Sequence, residues 1–366
     1  MGLIALAVAL LIEQLRPLHP GNRLHRLARE GIDLARQHSR TDRRFDAVIA
    51  WFAIVAGSIV LVLALQWIAA AIGWPASFML HVGILYLTVG FRQFGHNLRS
   101  ILAALERGEP GRAGRLLEDW TEAGEGRVAA PAAGDDEVGD PPGRIRLCRA
   151  TIVHALVCAH RELFAPILAY LLLPGAIGPV AYRVVDLLAR RWSDNDATTV
   201  GDLVSEDPGD AIDDNGSLAD DMESGPGASG AGPASADNPH AGVAARGLQI
   251  VDWIPLRVTA AGFAIAGDFE DATYCWRAAI AAGAGSDQRA MLAAVGGGAL
   301  GLQLADPDRD GSWASAPADA RSSSIDWSGA PPDAGGIRST IGLIWRAATL
   351  VIGLFVLVAL SGWLGH

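Results

Sequence analysis

Residues 47 to 72, AVIAWFAIVAGSIVLVLALQWIAAAI, form an apolar run without a charged side chain. The run exceeds the about 20 residues that an α-helix needs to cross the hydrocarbon core of a bilayer. Trp51 and Trp67 lie near its two ends, and aromatic rings prefer the membrane interface. The run therefore predicts a membrane-spanning helix, and with it a helical membrane protein.

Other apolar segments on both sides of this run extend the prediction. They are a short inserted or re-entrant helix within residues 1–18, a return helix at 76–91 after the turn at 73–75, a long run at 151–173, a shorter return at 175–189, helical patterns at 247–304 and a terminal helix at 339–366. Together they predict an all-α, polytopic inner-membrane helical bundle of about four to six membrane segments.

The stretch HRELFAPILAYLLLPGAIGPVAYRVVDLLARRW, residues 160 to 192, is interpreted as a membrane hairpin. Its turn PGAIGP would lie at the outer interface, where water can satisfy the backbone groups that Pro and Gly leave free. The alternative is a helical hairpin in a soluble core, and the uncharged run at 47–72 argues against it.

Charge is distributed unevenly along the 366 residues. The net charge is −11, and all 29 basic residues are Arg. Residues 191–240 hold twelve acidic residues and one Arg, so the rest of the chain is balanced. A nucleic-acid-binding protein needs a basic face, and none is indicated, so we expect no nucleic-acid partner.

Five regions follow from this pattern. They are an N-terminal membrane region with cytoplasmic loops at 1–190, a disordered acidic linker at 191–246, a helical region at 247–305, a second linker at 306–338 and a membrane helix at 339–366. Arg is dense at 16–44, 92–115 and 183–191 and absent from the two tight turns. Because basic loops stay in the cytoplasm, we expect a multi-pass protein of a bacterial inner membrane with both turns facing outward.

Charged residues inside apolar segments are the candidate site. Charges at membrane depth cost at least about 2.5 kcal/mol each and usually face a partner or a watery cavity. The candidates are Arg161, Glu162, Arg183, Asp186, Asp252 and Arg257. Arg183 and Asp186, three residues apart, are predicted to meet on one helix face. The hypothesis is a polar cavity at the cytoplasmic interface, and the alternative is interfacial anchoring by long Arg side chains.

Other motifs give weaker evidence for a functional site. DPDRDG at 306–311 starts like a calcium loop, but Pro317 stands where a bidentate carboxylate is required. GGGALG at 296–301 is better explained by close helix packing than by nucleotide binding. His154 and His160 lie about 120° apart on a helix and are poor co-ligands. We expect no metal site, no nucleophilic catalysis and three free, buried cysteines.

Three segments resemble, in order, membrane proteins of the CobD/CbiB family and its AmpE branch. They are RELFAPILAYLLLPGAIGPVAYRVVDLL (161–188), LQIVDWIPLRVTAAGFAI (248–265) and AAVGGGALGLQL (293–304), and LLIEQLRPL near the start is also similar. The matching positions include Ala165, Pro166, Gly175, Gly178, Ala181, Tyr182, Arg183, Asp252, Ile254, Pro255 and Arg257, with Trp253 inside the predicted helix break.

The enzymes of that family join an aminopropanol unit to adenosylcobyric acid with ATP. Val157, Cys158 and Arg161 stand where the resemblance implies Glu, Asn and Asp. An ATP-using site needs carboxylates to hold Mg²⁺ on the phosphates, so their replacement argues against synthase chemistry. The AmpE branch also lacks them, and it is associated with regulation of β-lactamase induction.

The resemblance thus implies a non-catalytic regulatory or signalling protein, with no catalytic residues and no cofactor. Its partners would be membrane lipid and an unknown small-molecule ligand or protein. The alternative is an adenosylcobinamide-phosphate synthase of cobalamin biosynthesis, which would need ATP and Mg²⁺. A third possibility is a scaffold whose acidic linker recruits a basic partner.

Overall fold

The computed structural model describes residues 5–9, 12, 44–88, 91–123, 141–173, 175–205, 239–304 and 329–364. Over these ranges the chain is helical and forms no strand, apart from an isolated bridge between Leu302 and Ala330. After a helical stretch at 5–9 the helices are α1 (Arg44–Ile72), α2 (Trp74–Thr88), α3 (Phe91–Glu106), α4 (Pro110–Ala123), α5 (Pro141–Ala159), a π-helical turn (His160–Phe164), α6 (Ala165–Leu172), α7 (Ile177–Ser205), α8 (Pro239–Val251), α9 (Trp253–Ala266), α10 (Phe269–Ala281), a 3-10 turn (Ala284–Ser286), α11 (Gln288–Leu300) and α12 (Ala334–Leu364). The all-helical prediction is confirmed for the described residues.

Three described helical segments are long and apolar enough to cross a membrane: Phe45–Ile72, Pro142–Leu172 and Ala334–Leu357. A fourth candidate is the pair His240–Val251 and Trp253–Ala266, which is bent by 55°. The described residues therefore give three candidate spans, or four with the bent pair. This is at or below the lower end of the predicted four to six.

Helices α1 and α2 form the predicted hairpin. Gly73 joins them with φ +134°, a conformation that a residue with a Cβ rarely adopts. The return helix begins at Trp74 and ends at Thr88, slightly earlier than the predicted 76–91. Helix α1 has 29 residues, or about 43 Å at 1.5 Å per residue, more than the thickness of a bilayer core.

The segment 160–192 also folds back on itself as predicted. Helices α5 and α6, joined by the π-helical turn, run up to Leu172, and α7 returns from Ile177. Gly175 lies in the turn with φ +73°. A Cβ on Gly178 would overlap the backbone carbonyl of Ala169, so the two arms of the hairpin are in direct backbone contact.

Buried side chains from α2 to α6 and from α9 to α12 form the main core. Phe164 packs edge-on against Phe263 with ring centroids 5.5 Å apart. In GGGALG, a Cβ on Gly298 would lie 2.6 Å from the carbonyl oxygen of Asp271, so α10 and α11 approach closely. Close helix packing by small residues, the predicted role of this motif, is confirmed.

Helices extend into the ranges predicted as linkers. Helix α7 continues to Ser205 and α8 begins at Pro239, so the ends of the region 191–246 are helical. Helix α12 begins at Ala334, inside the predicted linker 306–338. The acidic centre of the first linker, the DPDRDG motif and most of residues 1–18 lie outside the described residues.

The exposed apolar side chains of α1 lead to a first prediction, that the protein is associated with a membrane. Only 6% of the most apolar window of α1 is buried, and Phe52, Leu61, Trp67 and Ile72 are all exposed. Since soluble monomers rarely expose contiguous apolar patches above a few hundred Å², we expect the protein to sediment with membranes. It should resist an alkaline carbonate wash and dissolve in mild detergent. Recovery in the aqueous fraction without detergent would contradict the membrane interpretation.

Candidate functional site

Asp252 lies at the bend between α8 and α9 and is only 2% exposed. Its carboxylate accepts hydrogen bonds from His160 Nε2 (2.9 and 3.1 Å), Tyr182 Oη (3.1 Å) and Gln288 Nε2 (2.6 Å). These donors come from the π-helical turn, α7 and α11. One buried carboxylate therefore ties together three elements that are distant in sequence.

Pro255 explains why the chain bends at this aspartate. It has no N–H, so the carbonyl of Val251, four residues earlier, loses its helical partner. The bonds on either side persist, since Asp252 N donates to Leu248 O at 2.8 Å and Leu256 N donates to Asp252 O at 2.9 Å. The predicted helix break at Trp253–Pro255 is confirmed. Pro255 is buried, whereas Trp253 is exposed.

His160 connects the carboxylate to a hydroxyl. Its Nδ1 lies 2.9 Å from Thr259 Oγ1, and both side chains are fully buried. Because Nε2 faces a carboxylate, it must carry a hydrogen; in the neutral ring Nδ1 then accepts from Thr259. The Thr259–His160–Asp252 order is that of a hydroxyl nucleophile, its base and an orienting carboxylate. The Thr259 hydroxyl is fully buried in this conformation, and the three side chains connect the π-helical turn to both sides of the bend between α8 and α9.

Asp186 forms a second buried ionic centre. Arg190, one turn later, binds it through Nε (3.2 Å) and a terminal nitrogen (2.6 Å). Arg161 Nε lies 3.7 Å from Asp186 and donates to Gln288 Oε1 at 2.6 Å. Gln288 thus links the two carboxylates. We call the set the buried polar cluster: His160, Arg161, Tyr182, Asp186, Arg190, Asp252, Thr259 and Gln288.

Arg183, predicted to meet Asp186 on one helix face, makes its hydrogen bond elsewhere. Arg183 Nε donates instead to the carbonyl of Thr88 at 2.7 Å, at the end of α2, where helix carbonyls have no helical partner. Asp186 is held by Arg190 and Arg161. Spacing of three or four residues allows both choices, and the tertiary contact with α2 decides between them.

Arg257 does not contact Asp252 either. Its guanidinium stacks over the Trp253 ring at 4.2 Å from the centroid and donates to the Trp253 carbonyl at 3.1 Å. Five residues separate Arg257 from Asp252, which places them about 140° apart around a helix. The expectation that both line one cavity is not met by this geometry.

Glu162 lies next to the cluster, partly exposed, and makes no hydrogen bond to a described residue. Its carboxyl group is within electrostatic range of Arg183, Arg190 and Asp186. Of the predicted structural positions, Ala165 and Pro166 are buried at the start of α6, and Ala165 packs with Tyr182. Gly175 and Gly178 shape the hairpin turn.

Five residues of the cluster are not among the predicted site residues: His160, Tyr182, Arg190, Thr259 and Gln288. Tyr182 appears in the sequence analysis only as a position that matches the resemblance. His160 carried a signal, since it stands in an apolar run, but it was considered only as a partner of His154. Arg190 lies one turn after Asp186, where the spacing rule also applies. Thr259 and Gln288 had no signal in the sequence.

All three cysteines are free and buried, as predicted. Cys158 Sγ lies 3.3 Å from His154 Nε2, and the His154 ring packs edge-on against Trp120. Burial, with a smaller effect of the Asp271 carboxylate, raises the pKa of the Cys275 thiol. Within the described residues no group of three His, Cys, Asp or Glu side chains is placed to hold a metal ion.

Over the described residues the fold and site define a class only: an all-helical protein with three or four candidate membrane spans and a buried ionic network. Comparison with protein-family models, with curated proteins and with solved structures gives no match.

Proposed function

We propose that the protein is a multi-pass protein of a bacterial inner membrane with its Arg-rich segments in the cytoplasm. Two contacts support this orientation. His81 of α2 bonds Tyr170 of α6 at 3.0 Å, next to Gly175, so both predicted outer turns lie toward one end of the bundle. At the other end, Arg338 at the start of α12 pairs with Glu106 at the end of α3.

We further propose that it works as a regulatory or signalling protein, as the resemblance to the AmpE branch of the CobD/CbiB family implies, and not as a synthase. The carrying observation is the place of Arg161. Where the resemblance implies a carboxylate, this chain has a guanidinium that faces Asp186 together with Arg190. A carboxylate neutralised by two cations is a poor ligand for Mg²⁺.

The buried polar cluster suits a switch. It joins the hairpin 141–205, the bent pair α8–α9 and α11 through the hydrogen bonds that His160, Tyr182 and Gln288 donate to Asp252. Breaking a buried ionic pair costs about 3–5 kcal/mol. A ligand or partner that moves one element must therefore break the network or leave it intact, which favours two discrete states over gradual change.

A complementation experiment separates regulation from synthesis. We expect the chain not to restore growth of a mutant that lacks adenosylcobinamide-phosphate synthase. We expect it to restore normal β-lactamase inducibility in a strain from which its own gene is deleted. Growth on the synthase mutant would overturn the regulatory proposal and establish the alternative, with ATP and Mg²⁺ as its requirements.

The matched pair for this assay is Asp252→Asn and Arg257→Gln. The first removes the carboxylate charge on which three donors converge. The second alters an arginine at the start of α9 whose guanidinium stacks on the Trp253 ring and donates to the Trp253 carbonyl. We expect loss of inducibility for Asp252→Asn at normal protein levels and retention for Arg257→Gln. Equal behaviour of the two would rule out the cluster as the switch.

A further inference from the structure

The bent pair α8–α9 is long enough to cross a membrane only if its two helices count as one span. Whether it crosses can be decided from where the helices before and after it lie. Helix α8 begins beside α7: the His240 ring is 5.1 Å from the ring of Trp192. Since α7 returns from the hairpin turn, this is the end of the bundle where α5 begins.

Helix α12 begins at that same end. Gly336 lies against Leu302 and against Ile152 in α5, and Arg338 pairs with Glu106. Arg149, also in the first half of α5, donates to the carbonyl of Gln303 at 3.2 Å. The chain therefore leaves α7 and enters α12 on one side of the proposed membrane.

An even number of crossings must then separate α7 from α12. Helices α10 and α11 have 13 residues each, about 20 Å, which is too short for a bilayer core of about 30 Å. Residues 206–238 and 305–328 contain no apolar run of sufficient length. A single crossing by α8–α9 would leave α12 on the wrong side, so the pair does not cross.

The apex of the bent pair is nevertheless apolar on its outside. Ile250 is 77% exposed and Trp253 53%, with Val251 and Ile254 also exposed, while Asp252 between them faces inward. Arg257 stacks on Trp253. An apolar tip beside a Trp–Arg pair is typical of a segment at the boundary between headgroups and acyl chains.

We infer that α8–α9 is a re-entrant element whose apex, Ile250, Val251, Trp253 and Ile254, dips into the cytoplasmic leaflet and returns. Its partner is the lipid surface. The inference rests on the proposed membrane orientation. It goes further by placing Asp252 at the tip of an element that contacts lipid. Bilayer composition or tension therefore acts directly on the buried polar cluster.

Single-cysteine labelling tests this inference, since the native cysteines are buried. Gly242→Cys lies in the first turn of α8 and Arg277→Cys lies after the bent pair, and both positions are exposed. Both should react with a membrane-impermeant maleimide from the cytoplasmic side only. Trp74→Cys, at the outer turn, and Arg107→Cys, after α3, are the controls for the two sides. A bimane on Ile250→Cys should be quenched by brominated acyl chains and not by aqueous iodide.

Reaction of Arg277→Cys from the outside would overturn the inference, because α8–α9 would then cross. Quenching of the Ile250→Cys probe by iodide alone would overturn the lipid contact. If Trp74→Cys and Arg107→Cys react from the same side, the proposed orientation itself fails, so the two failures are distinguishable. All five labelled positions are on the surface, so the substitutions remove no core packing.

Discussion

Replacing Asp252 by alanine should lower the free energy of unfolding by about 3–5 kcal/mol, the usual cost of removing one partner from a buried ionic network. The substitution leaves His160 Nε2, the Tyr182 hydroxyl and the Gln288 amide without their common acceptor, and all three side chains are buried. An unpaired buried donor costs about 1–3 kcal/mol by itself. A denaturing-detergent titration of the purified protein, followed by circular dichroism, measures the change.

The matched control is Asp119→Ala in α4, where the carboxylate is exposed. Surface substitutions of this kind change stability by about 0.5 kcal/mol or less. Equal stability of Asp252→Ala and Asp119→Ala would show that the carboxylate does not hold the three elements together.

The second large effect is expected at Gly178. Its Cβ would overlap the carbonyl of Ala169, and that atom belongs to the backbone of the opposite arm and cannot rotate away. Gly178→Ala should therefore separate α6 from α7 and destabilise the protein by about 1–3 kcal/mol or more. The same titration gives the measurement.

Gly57→Ala in α1 is its control, because a Cβ there meets no atom within 4 Å. Alanine favours a helix by about 0.5–1 kcal/mol over glycine, so this variant should be at least as stable as the wild type. If Gly178→Ala were as stable as Gly57→Ala, the close approach of the two hairpin arms would be refuted.

The helices themselves could be predicted because their signals are local. An uncharged run such as 47–72 needs only its own length to indicate a helix, and Pro255 breaks the backbone bonding of its own turn. Asp252 could be found as a site residue for the same reason, since a lone charge in an apolar segment must have a partner. The local sequence pattern does not identify that partner.

The partners are set by packing between distant segments. His160 and Asp252 are 92 residues apart, and Arg161 and Gln288 are 127 apart. No periodicity connects such positions. Arg183 shows the same limit of local spacing. The spacing rule favours Asp186 as its partner, but its Nε–H donates to the carbonyl of Thr88, 95 residues earlier. The linker ends were missed because the helical starts and stops near Ser205 and Pro239 lie in polar sequence.

The π-helical turn at His160–Phe164 contains one residue more than an α-helical turn of the flanking helices would. If that surplus residue migrated one turn toward Ala159 or Ala165, the side chains it passed would swing about the axis by about 100°, the angle of one helical residue. The imidazole of His160 would then point away from Asp252 while the chain stayed helical throughout. A shift of helical register near these five residues would thus separate His160 from the carboxylate without unfolding a helix.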